Sequence, residues 1–300
     1  MRSRNAQIKA IIGTTRPNFL ILTPACLSIG IAAAARHSSI DTSLLALVLI
    51  AGLLAHISVN MLNEYHDFRS GLDLNTERTP FSGGSGSLPA TPEVASKVLY
   101  IALGALTLTA AVGLYLISLR GSELIYLGLA GILVVLAYTP ILNKHPIACL
   151  VAAGVGFGPV MILGAEIALS GETSLLTFVA SLVPFFLVNN LLLLNQFPDI
   201  EADKAAGRNH LLIAYGPKIG AIVYLLFNLA MLIAFALTLF FTEATWQWIL
   251  LLPVTFASIK ISRDVVANHS DVGKLLGSMG PNVGLTLISP LLVSLAIVTA

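Results

Sequence analysis

Long apolar stretches without any Asp, Glu, Lys or Arg constrain the fold of this chain more than any other feature. Most reach the roughly 20 residues that a helix needs to cross about 30 Å of hydrocarbon. They are continuously apolar rather than alternating, which indicates helices and not a barrel. We therefore predict an all-α membrane protein with nine transmembrane helices. The stretches are 17–35, 42–63, 98–119, 124–143, 145–165, 173–198, 219–242, 244–259 and 275–300.

The composition excludes several other classes of protein. Hydrophobic residues make up 56% of the 300 residues and charged residues only 10%, whereas soluble domains carry about 25% charged residues. A water-soluble enzyme and a disordered chain are both excluded by this balance. The formal net charge of +1 gives no basic field for nucleic acid. Cys26 and Cys149 lie inside apolar stretches and match no metal or disulfide pattern.

The basic residues predict how the chain lies in the membrane. With nine spans, 14 of the 16 Lys and Arg residues fall on the side of the N-terminus. Because Lys and Arg accumulate in cytoplasmic loops, we expect a cytoplasmic N-terminus and a C-terminus on the opposite side. We expect a multi-pass protein of a cell inner or plasma membrane. Ten of the 15 acidic residues also fall on the cytoplasmic side, which the distribution of Lys and Arg does not explain.

The first group of acidic residues follows the second apolar stretch. On a helix, five polar residues of this segment share an arc of about 100° that runs to the cytoplasmic end. Gly71 then permits a turn that lets Asp73 fold back toward this stripe. The five residues of the stripe are His56, Asn60, Asn63, Glu64 and Asp67.

The second group ends the sixth apolar stretch. Asn195, Asp199 and Asp203 have i, i+4, i+8 spacing, which predicts one shared helix face, and Pro198 predicts a kink beside them. The two groups resemble repeats, since Asn63 and Asn195, like Asp67 and Asp199, lie 132 residues apart.

Two carboxylate groups at one membrane rim repel each other unless cations lie between them. Asp, Glu and Asn oxygens prefer hard cations such as Mg²⁺, which often shares its coordination with phosphates. We expect the two groups to face each other and to hold two Mg²⁺ ions with a diphosphate between them. Arg78, Lys144 and Arg208 are then candidates to bind the remaining phosphate oxygens.

At these two motifs the sequence resembles the UbiA superfamily of intramembrane prenyltransferases. The first motif, Asn63-Glu64-Tyr65-His66-Asp67 with Gly71-Leu72-Asp73, is most similar to the branch that prenylates 1,4-dihydroxy-2-naphthoate in menaquinone biosynthesis. Glu64 stands where that branch usually has Asp, so either the metal site adjusts or Glu64 is not a direct ligand. The resemblance implies one domain over residues 1–300, a helical bundle around a central cavity that opens to the cytoplasm and to lipid, and transfer of an isoprenyl group from a polyprenyl diphosphate to an aromatic acceptor.

The motifs and the resemblance together give the expected site residues. The expected metal ligands are Asn63, Glu64, Asp67, Asp73, Asn195, Asp199 and Asp203. The residues expected to bind the diphosphate are Asn60, Arg78, Lys144, Asn195 and Arg208. Those expected to act in catalysis are Asp67, Tyr138, Lys144 and Asp199. Tyr65, Phe68 and Tyr138 are candidates to stabilise a carbocation, and His66 or a carboxylate is a candidate base.

Three features keep alternative interpretations open. Buried acids and broken helices are also typical of transporters, although here the acids lie at one rim. The acceptor can instead be 4-hydroxybenzoate, homogentisate or a lipid. The segment 82–86, Ser-Gly-Gly-Ser-Gly, fits a phosphate-binding nest of N–H groups and a flexible connection equally well. Neither the prenyl chain length nor the oligomeric state follows from the sequence.

Overall fold

The computed structural model describes residues 3–76, 78, 79 and 81–300 and contains α-helices throughout, with no strand in this part of the chain. Every predicted apolar stretch contains a helix. The α-helices are α1 Arg4–Thr14, α2 Leu22–His37, α3 Thr42–Ser70, α4 Leu72–Asn75, α5 Ser87–Ala90, α6 Ala95–Arg120, α7 Glu123–Ala137, α8 Pro146–Val155, α9 Met161–Ser170, α10 Leu175–Asn195, α11 Ile200–Ala205, α12 Leu211–Tyr215, α13 Pro217–Phe241, α14 Leu251–Asn268 and α15 Val272–Thr299. Short 3₁₀ helices cover Pro17–Phe19, Pro92–Val94, Leu142–Lys144 and Trp246–Leu250, and a π-helical turn covers Gly156–Val160.

The number of helices that can span a membrane is smaller than the number of apolar stretches. Six helical segments in the described residues are long and apolar enough, or seven if the segment Arg4–Phe19 and α2, which meet at 47°, form one bent span. Helix α7 is apolar but has only 15 residues, and α14 is preceded by a 3₁₀ turn instead of extending to residue 244. The helical membrane architecture is therefore confirmed, while the count of nine spans stays a prediction.

Helix α3 is long enough to carry the first acidic motif out of the hydrocarbon. Its N-cap Asp41 accepts hydrogen bonds from the N–H groups of Ser43 (2.7 Å) and Leu44 (3.0 Å). The 29 residues of α3 give a length of about 43 Å, more than the hydrocarbon thickness of about 30 Å. Gly71 ends α3 in the left-handed conformation at φ 81°, as its place in the sequence predicted.

The helix of the second motif is shorter than the sequence indicated. Helix α10 ends at Asn195, and residues 196–199 form turns before α11. Pro198 lacks an N–H and clashes with the preceding helical turn, so it ends the helix instead of kinking it. Asn195, Asp199 and Asp203 consequently do not lie on one continuous helix, and the expectation of a shared helix face was wrong.

Helix α10 forms the centre of the bundle. In the 18-residue apolar segment of α10, 61% of the residues are buried, against 17% in that of α3. Leu187, Leu193 and Leu194 of α10 belong to a core cluster that also includes Tyr224 and Phe235 of α13. This packing fixes the direction in which α10 delivers the second motif.

Close approach of helices depends on glycine at Gly154 and Gly158. A Cβ on Gly154 would overlap the side chain of Asn189 and the carbonyl of Phe185 on α10, and a Cβ on Gly158 would lie 2.7 Å from Ser181 O. Gly156 differs, because its Cβ would make only an ordinary contact of 3.8 Å with Val134. Two of these three glycines therefore serve the close helix packing that their spacing suggested.

We expect Gly154→Ala to lower the free energy of unfolding by about 2 kcal/mol or more, because its Cβ would overlap Asn189 and the Phe185 carbonyl and force α8 away from α10. Gly156→Ala is the matched control and should change stability by less than about 1 kcal/mol. Thermal unfolding of the detergent-solubilised proteins measures both. Equal stability of the two variants would show that α8 and α10 do not pack as closely as described.

Candidate active site

Both acidic motifs line one cavity of about 960 Å³. Its polar end lies where the two acidic motifs meet, and the remainder is lined by apolar residues of α3, α6, α7, α9 and α10. Four of the five residues of the predicted polar stripe line it, Glu64 being the exception among the described residues. The polar lining includes Asn60, Asn63, Asp67, Asp73, Asn195, Asp199, Asp203, Arg208 and His210.

One guanidinium joins the two motifs. Arg208 pairs through Nη2 with Oδ1 of Asp67 and through Nη1 with Oδ1 of Asp203 at 2.9 Å. His210, which is 1% exposed, places Nε2 3.1 Å from the second oxygen of Asp203. The two acidic groups therefore converge as the sequence predicted, but in this structure an arginine lies between Asp67 and Asp203.

Asp73 folds back into the cavity behind Gly71. It is 4% exposed, and its Oδ2 has no hydrogen-bond partner within the described part of the chain. Burial raises the pKa of Asp73 to about 7, and the nearby charges of Glu64 and Asp67 act in the same direction. The positive charge near Asp73 therefore does not balance its burial and the neighbouring carboxylates.

The second motif also has buried oxygens that lack a hydrogen-bond donor. Asp199 precedes α11, and its backbone carbonyl accepts from Asp203 N at 2.8 Å. Asp199 Oδ1 and Asn195 Oδ1 are buried atoms that accept no hydrogen bond from any described residue. Burial raises the pKa of Asp199 to about 6, with the charge of Asp203 contributing.

Glu64 occupies a different position from the other acids. Its side chain is fully buried and accepts from Arg16 Nε (2.8 Å), Ser85 N (2.8 Å) and Ser85 Oγ (2.6 Å). Arg16 also donates to Asn63 Oδ1 at 3.1 Å, and Asn63 Nδ2 donates to Thr139 Oγ1 at 3.2 Å. Glu64 thus anchors the N-terminal segment and the 82–86 loop to α3.

The 82–86 loop links the two motifs. Gly83 N donates to Asp199 Oδ2 at 3.3 Å, while Ser85 holds Glu64. Gly83, Gly84 and Gly86 have positive φ values of 71–81°, which residues with a Cβ rarely adopt. A Cβ on Gly84 would also lie 2.8 Å from Asp73 Oδ1. Two backbone N–H groups of the loop therefore donate to carboxylates. Neither the phosphate-binding nest nor the flexible connection predicted this arrangement.

Some predicted residues lie away from the cavity. Lys144 and Arg78 are exposed and are not among the described lining residues. Asn143 turns inward in place of Lys144: its side chain is buried and lines the cavity, and its backbone N donates to Tyr138 O while its backbone O accepts from Asn209 N. The guanidinium of Arg78 lies against Gly86. The structure thus does not support placing these two cations at a diphosphate.

Of the remaining candidate residues, some line the cavity and others do not. Tyr138 and Asn60 line the cavity, and Asn60 Nδ2 also donates to Thr15 O at 2.9 Å. The phenol of Tyr138, at the C-terminal end of α7, can donate one hydrogen bond. Tyr65, His66 and Phe68 are not among the described residues of the lining; Phe157 and Phe81 supply aromatic surface there instead.

Sequence reasoning missed Arg16 and His210, and it considered Ser85 only as part of the 82–86 segment. Arg16 entered only the count of basic residues, although it directly precedes Pro17 and the first apolar stretch. It adopts a left-handed conformation at φ 51°, which turns its side chain onto α3. The pairing of Arg16 with Glu64 joins residues far apart in sequence and leaves no spacing pattern. The only local sign in the sequence is that Arg16 directly precedes Pro17.

The predicted metal ligands do not all lie together in one group. Across the described residues, no three Asp, Glu, His or Cys side chains lie together in an arrangement that could hold a metal ion. Arg208 and Arg16 neutralise Asp67, Asp203 and Glu64 instead. The ligand assignment for Mg²⁺ therefore stays a prediction.

Fold and site define a multi-pass helical membrane protein whose buried acidic groups face one largely apolar cavity. A model of the UbiA prenyltransferase family matches residues 21–273, so the chain belongs to the UbiA prenyltransferase family and is a prenyltransferase. The resemblance at the two acidic motifs is confirmed.

Individual relatives agree with this assignment. The chain is 28% identical to 1,4-dihydroxy-2-naphthoate octaprenyltransferase of Bacillus subtilis over 253 residues, 82% of this chain and 77% of that protein. It is 30% identical to UbiA prenyltransferase domain-containing protein 1 of Danio rerio over 63% of this chain and 55% of the relative.

Solved structures share the fold. A structure of digeranylgeranylglyceryl phosphate synthase superposes with a TM-score of 0.69 at 16% identity, covering 98% of this chain and 99% of that one. A UbiA homologue from Archaeoglobus fulgidus bound to DMAPP and Mg²⁺ gives a TM-score of 0.63 at 14% identity, covering 97% and 99%.

We expect Arg16→Met to lower the free energy of unfolding by about 1.5–3 kcal/mol, because the buried Glu64 carboxylate then loses its cation. The double variant Arg16→Met/Glu64→Gln should lose less than Arg16→Met alone, since no uncompensated charge remains. Thermal unfolding in detergent tests the pair, and a double variant less stable than both single variants would refute this coupling.

Proposed function

We propose that this protein transfers an isoprenyl group from a polyprenyl diphosphate to 1,4-dihydroxy-2-naphthoate in a Mg²⁺-dependent reaction. The observation that carries the proposal is the junction of two acidic motifs with a long apolar cavity. A diphosphate requires the charged end and an isoprenyl chain requires the apolar end. Similarity to the Bacillus subtilis enzyme over 82% of the chain supports this acceptor.

Three buried oxygens at the polar end are candidate ligands for magnesium. Asp73 Oδ2, Asn195 Oδ1 and Asp199 Oδ1 are buried oxygens for which the described residues supply no donor, and such oxygens are suitable ligands for Mg²⁺. The raised pKa values of Asp73 and Asp199 indicate that positive charge is lacking there. Bound Mg²⁺ supplies charge that makes the diphosphate a better leaving group.

We assign Asp67 and Asp73 to one of two metal ions and Asn195 and Asp199 to the other. Asp203 acts through Arg208, which it orients, and Glu64 acts as an anchor of the loop. The presence of Mg²⁺ with DMAPP in the Archaeoglobus fulgidus homologue supports the metal requirement.

Arg208 and Tyr138 are the residues best placed to bind the diphosphate. Both line the cavity; the guanidinium offers five donors, two of which pair with Asp67 and Asp203 in this structure. The remaining donors and the Tyr138 hydroxyl can stabilise the charge that develops on the leaving phosphate oxygens.

The apolar cavity protects the reacting carbon. As the allylic carbon–oxygen bond breaks, its electron pair goes to the diphosphate, and an electron pair of the aromatic acceptor forms the new carbon–carbon bond. The acceptor carbon then loses its carboxylate as CO₂, and the electron pair of the broken carbon–carbon bond restores the aromatic ring, so this step needs no base. Apolar walls such as Phe157 and Val188 exclude the water that would otherwise capture the cation.

The site lies at a cytoplasmic membrane surface in this proposal. The distribution of Lys and Arg favours a cell membrane with a cytoplasmic N-terminus and the C-terminus on the other side. Both substrates then reach the polar end from the cytoplasm or from the bilayer.

We expect Asp199→Asn to lower Mg²⁺-dependent prenyl transfer by about 100-fold or more, because it removes a charge that the metal and diphosphate require. Glu201→Gln, an exposed change two residues further on, is the control and should retain activity. Diphosphate release by the purified proteins measures both. Full turnover by Asp199→Asn with unchanged thermal stability would contradict the metal assignment.

Among three aromatic acids, 1,4-dihydroxy-2-naphthoate should give the highest kcat/KM, ahead of 4-hydroxybenzoate and homogentisate. Each is assayed with the same prenyl diphosphate, and the product is identified by mass spectrometry. Higher turnover of either benzenoid acid would overturn the acceptor while leaving the family activity intact.

A further inference from the structure

One residue of the predicted polar stripe lies apart from the acidic end of the cavity. His56 precedes Asp67 on α3 by 11 residues, which is about 16 Å along the helix. It lines the largely apolar part of the cavity and is only 5% exposed. A polar group at this depth of a membrane protein is unfavourable unless it has a partner or a function.

One nitrogen of the His56 imidazole is held by α2. Nδ1 lies 2.8 Å from Oγ1 of Thr23, a fully buried residue. The Thr23 hydroxyl has no other acceptor among the described residues, so its hydrogen goes to Nδ1. A neutral imidazole that accepts at Nδ1 carries its own hydrogen on Nε2. The contact with Thr23 therefore fixes the tautomer that has a donor on the far side of the ring.

The plane of the imidazole is held as well. Phe157, in the π-helical turn between α8 and α9, packs edge-on against His56, with ring centroids 4.8 Å apart and an angle of 79° between the planes. Phe157 lines the same cavity. Contacts from two sides thus fix the ring, and a ligand-binding group that is fixed in this way discriminates well between ligands.

Nε2 of His56 is available to a ligand in the cavity. It makes no hydrogen bond to a described residue, and it is not one of the fully buried atoms without a partner. Thr109 of α6 also lines the deep part of the cavity, but its hydroxyl donates to the carbonyls of Ala51 (3.3 Å) and Ala105 (3.0 Å). His56 keeps a free donor at this depth, and Thr109 does not.

The chemistry of the two substrates indicates which one this donor serves. An isoprenyl chain has no hydrogen-bond acceptor, whereas a dihydroxynaphthoate has two hydroxyl oxygens that accept. The carbon that carries the carboxylate must face the diphosphate, and the 1-hydroxyl is attached to the neighbouring carbon. The 4-hydroxyl lies on the other side of the ring from the 1-hydroxyl. It is therefore the oxygen that can project away from the acidic end, toward His56.

We infer that His56 is a specificity-determining residue that donates from Nε2 to the 4-hydroxyl of the aromatic acceptor. The inference rests on the proposed function and deepens it, because it states where in the cavity the acceptor lies and why a second hydroxyl is selected. An acceptor without that hydroxyl leaves the buried N–H unpaired, which disfavours its transition state.

A comparison of 1,4-dihydroxy-2-naphthoate with 1-hydroxy-2-naphthoate tests the inference. Both acids keep the hydroxyl that activates the reacting carbon, so their kcat/KM ratio isolates the 4-hydroxyl. His56→Leu should lower this ratio about tenfold or more, while the KM for the prenyl diphosphate stays within about twofold. Thr109→Val is the matched control, a polar lining residue without a free donor, and should leave the ratio unchanged. An unchanged ratio in His56→Leu would overturn the inference.

Two further variants separate recognition of the acceptor from the tie between α2 and α3. Glutamine places its amide near the position of Nε2, and asparagine places its amide near that of Nδ1. His56→Gln can therefore reach the acceptor, whereas His56→Asn can reach only Thr23. We expect a higher kcat/KM ratio for His56→Gln than for His56→Asn, at similar thermal stability. Any other order of the two ratios would show that His56 acts only through Thr23.

Binding without turnover distinguishes failure of this inference from failure of the proposed function. The Kd of 1,4-dihydroxy-2-naphthoate, measured by anaerobic titration without prenyl diphosphate, should rise about tenfold or more in His56→Leu. Prenylation of this acid by a protein whose Kd does not depend on His56 would refute the inference alone. Binding that depends on His56, without transfer of any prenyl group to the acid, would support the inference and refute the proposed function.

Discussion

The pairing of Arg208 with Asp67 and Asp203 is the interaction on which the polar end of this protein depends. A buried carboxylate is unfavourable unless a cation or several donors compensate for its lost hydration. Here one guanidinium serves acids from the ends of α3 and α11 and so holds together two segments more than 130 residues apart in sequence. A second arginine, Arg16, does the same for Glu64. The compensation is incomplete at Asp73 and Asp199, each of which has a buried oxygen without a hydrogen-bond donor among the described residues.

The two halves of the site are built by different means. Asp67 lies on a helix that runs without interruption from Thr42 to Ser70, so its position follows from the packing of one rigid element. Asp199 lies in the turns that Pro198 enforces after α10, and the N–H of Gly83 and the short helix α11 fix it. The 132-residue offset suggested two equivalent motifs, but Pro198 gives the second one a loop where the first has a helix.

The sequence predicted the elements whose cause is local. A stretch of about 20 apolar residues must form a helix in lipid, because its backbone groups have no other partners. The polar stripe of α3 followed from the helical period, and Gly71 from the need for a positive φ. The pairing of Arg16 with Glu64 could not be predicted, because it joins residues 48 positions apart through a conformation that no pattern encodes. The side chain of Lys144, expected at the diphosphate, is exposed, whereas that of its neighbour Asn143 is buried and lines the cavity; the sequence does not encode which of two adjacent residues in a short turn faces inward.

The polar and apolar ends of the cavity impose opposite demands on the chain. At the polar end, side chains and N–H groups must be held in place, since a buried charge is tolerated only where its partners are fixed. Glu64, Ser85 and Gly83 meet this demand by tying the loop to both motifs. At the apolar end, the walls are mostly hydrocarbon side chains, which pack by contact alone and need no fixed polar partners. The two ends of one cavity are therefore stabilised in different ways: the polar end by hydrogen bonds and ion pairs, the apolar end by packing of the helices.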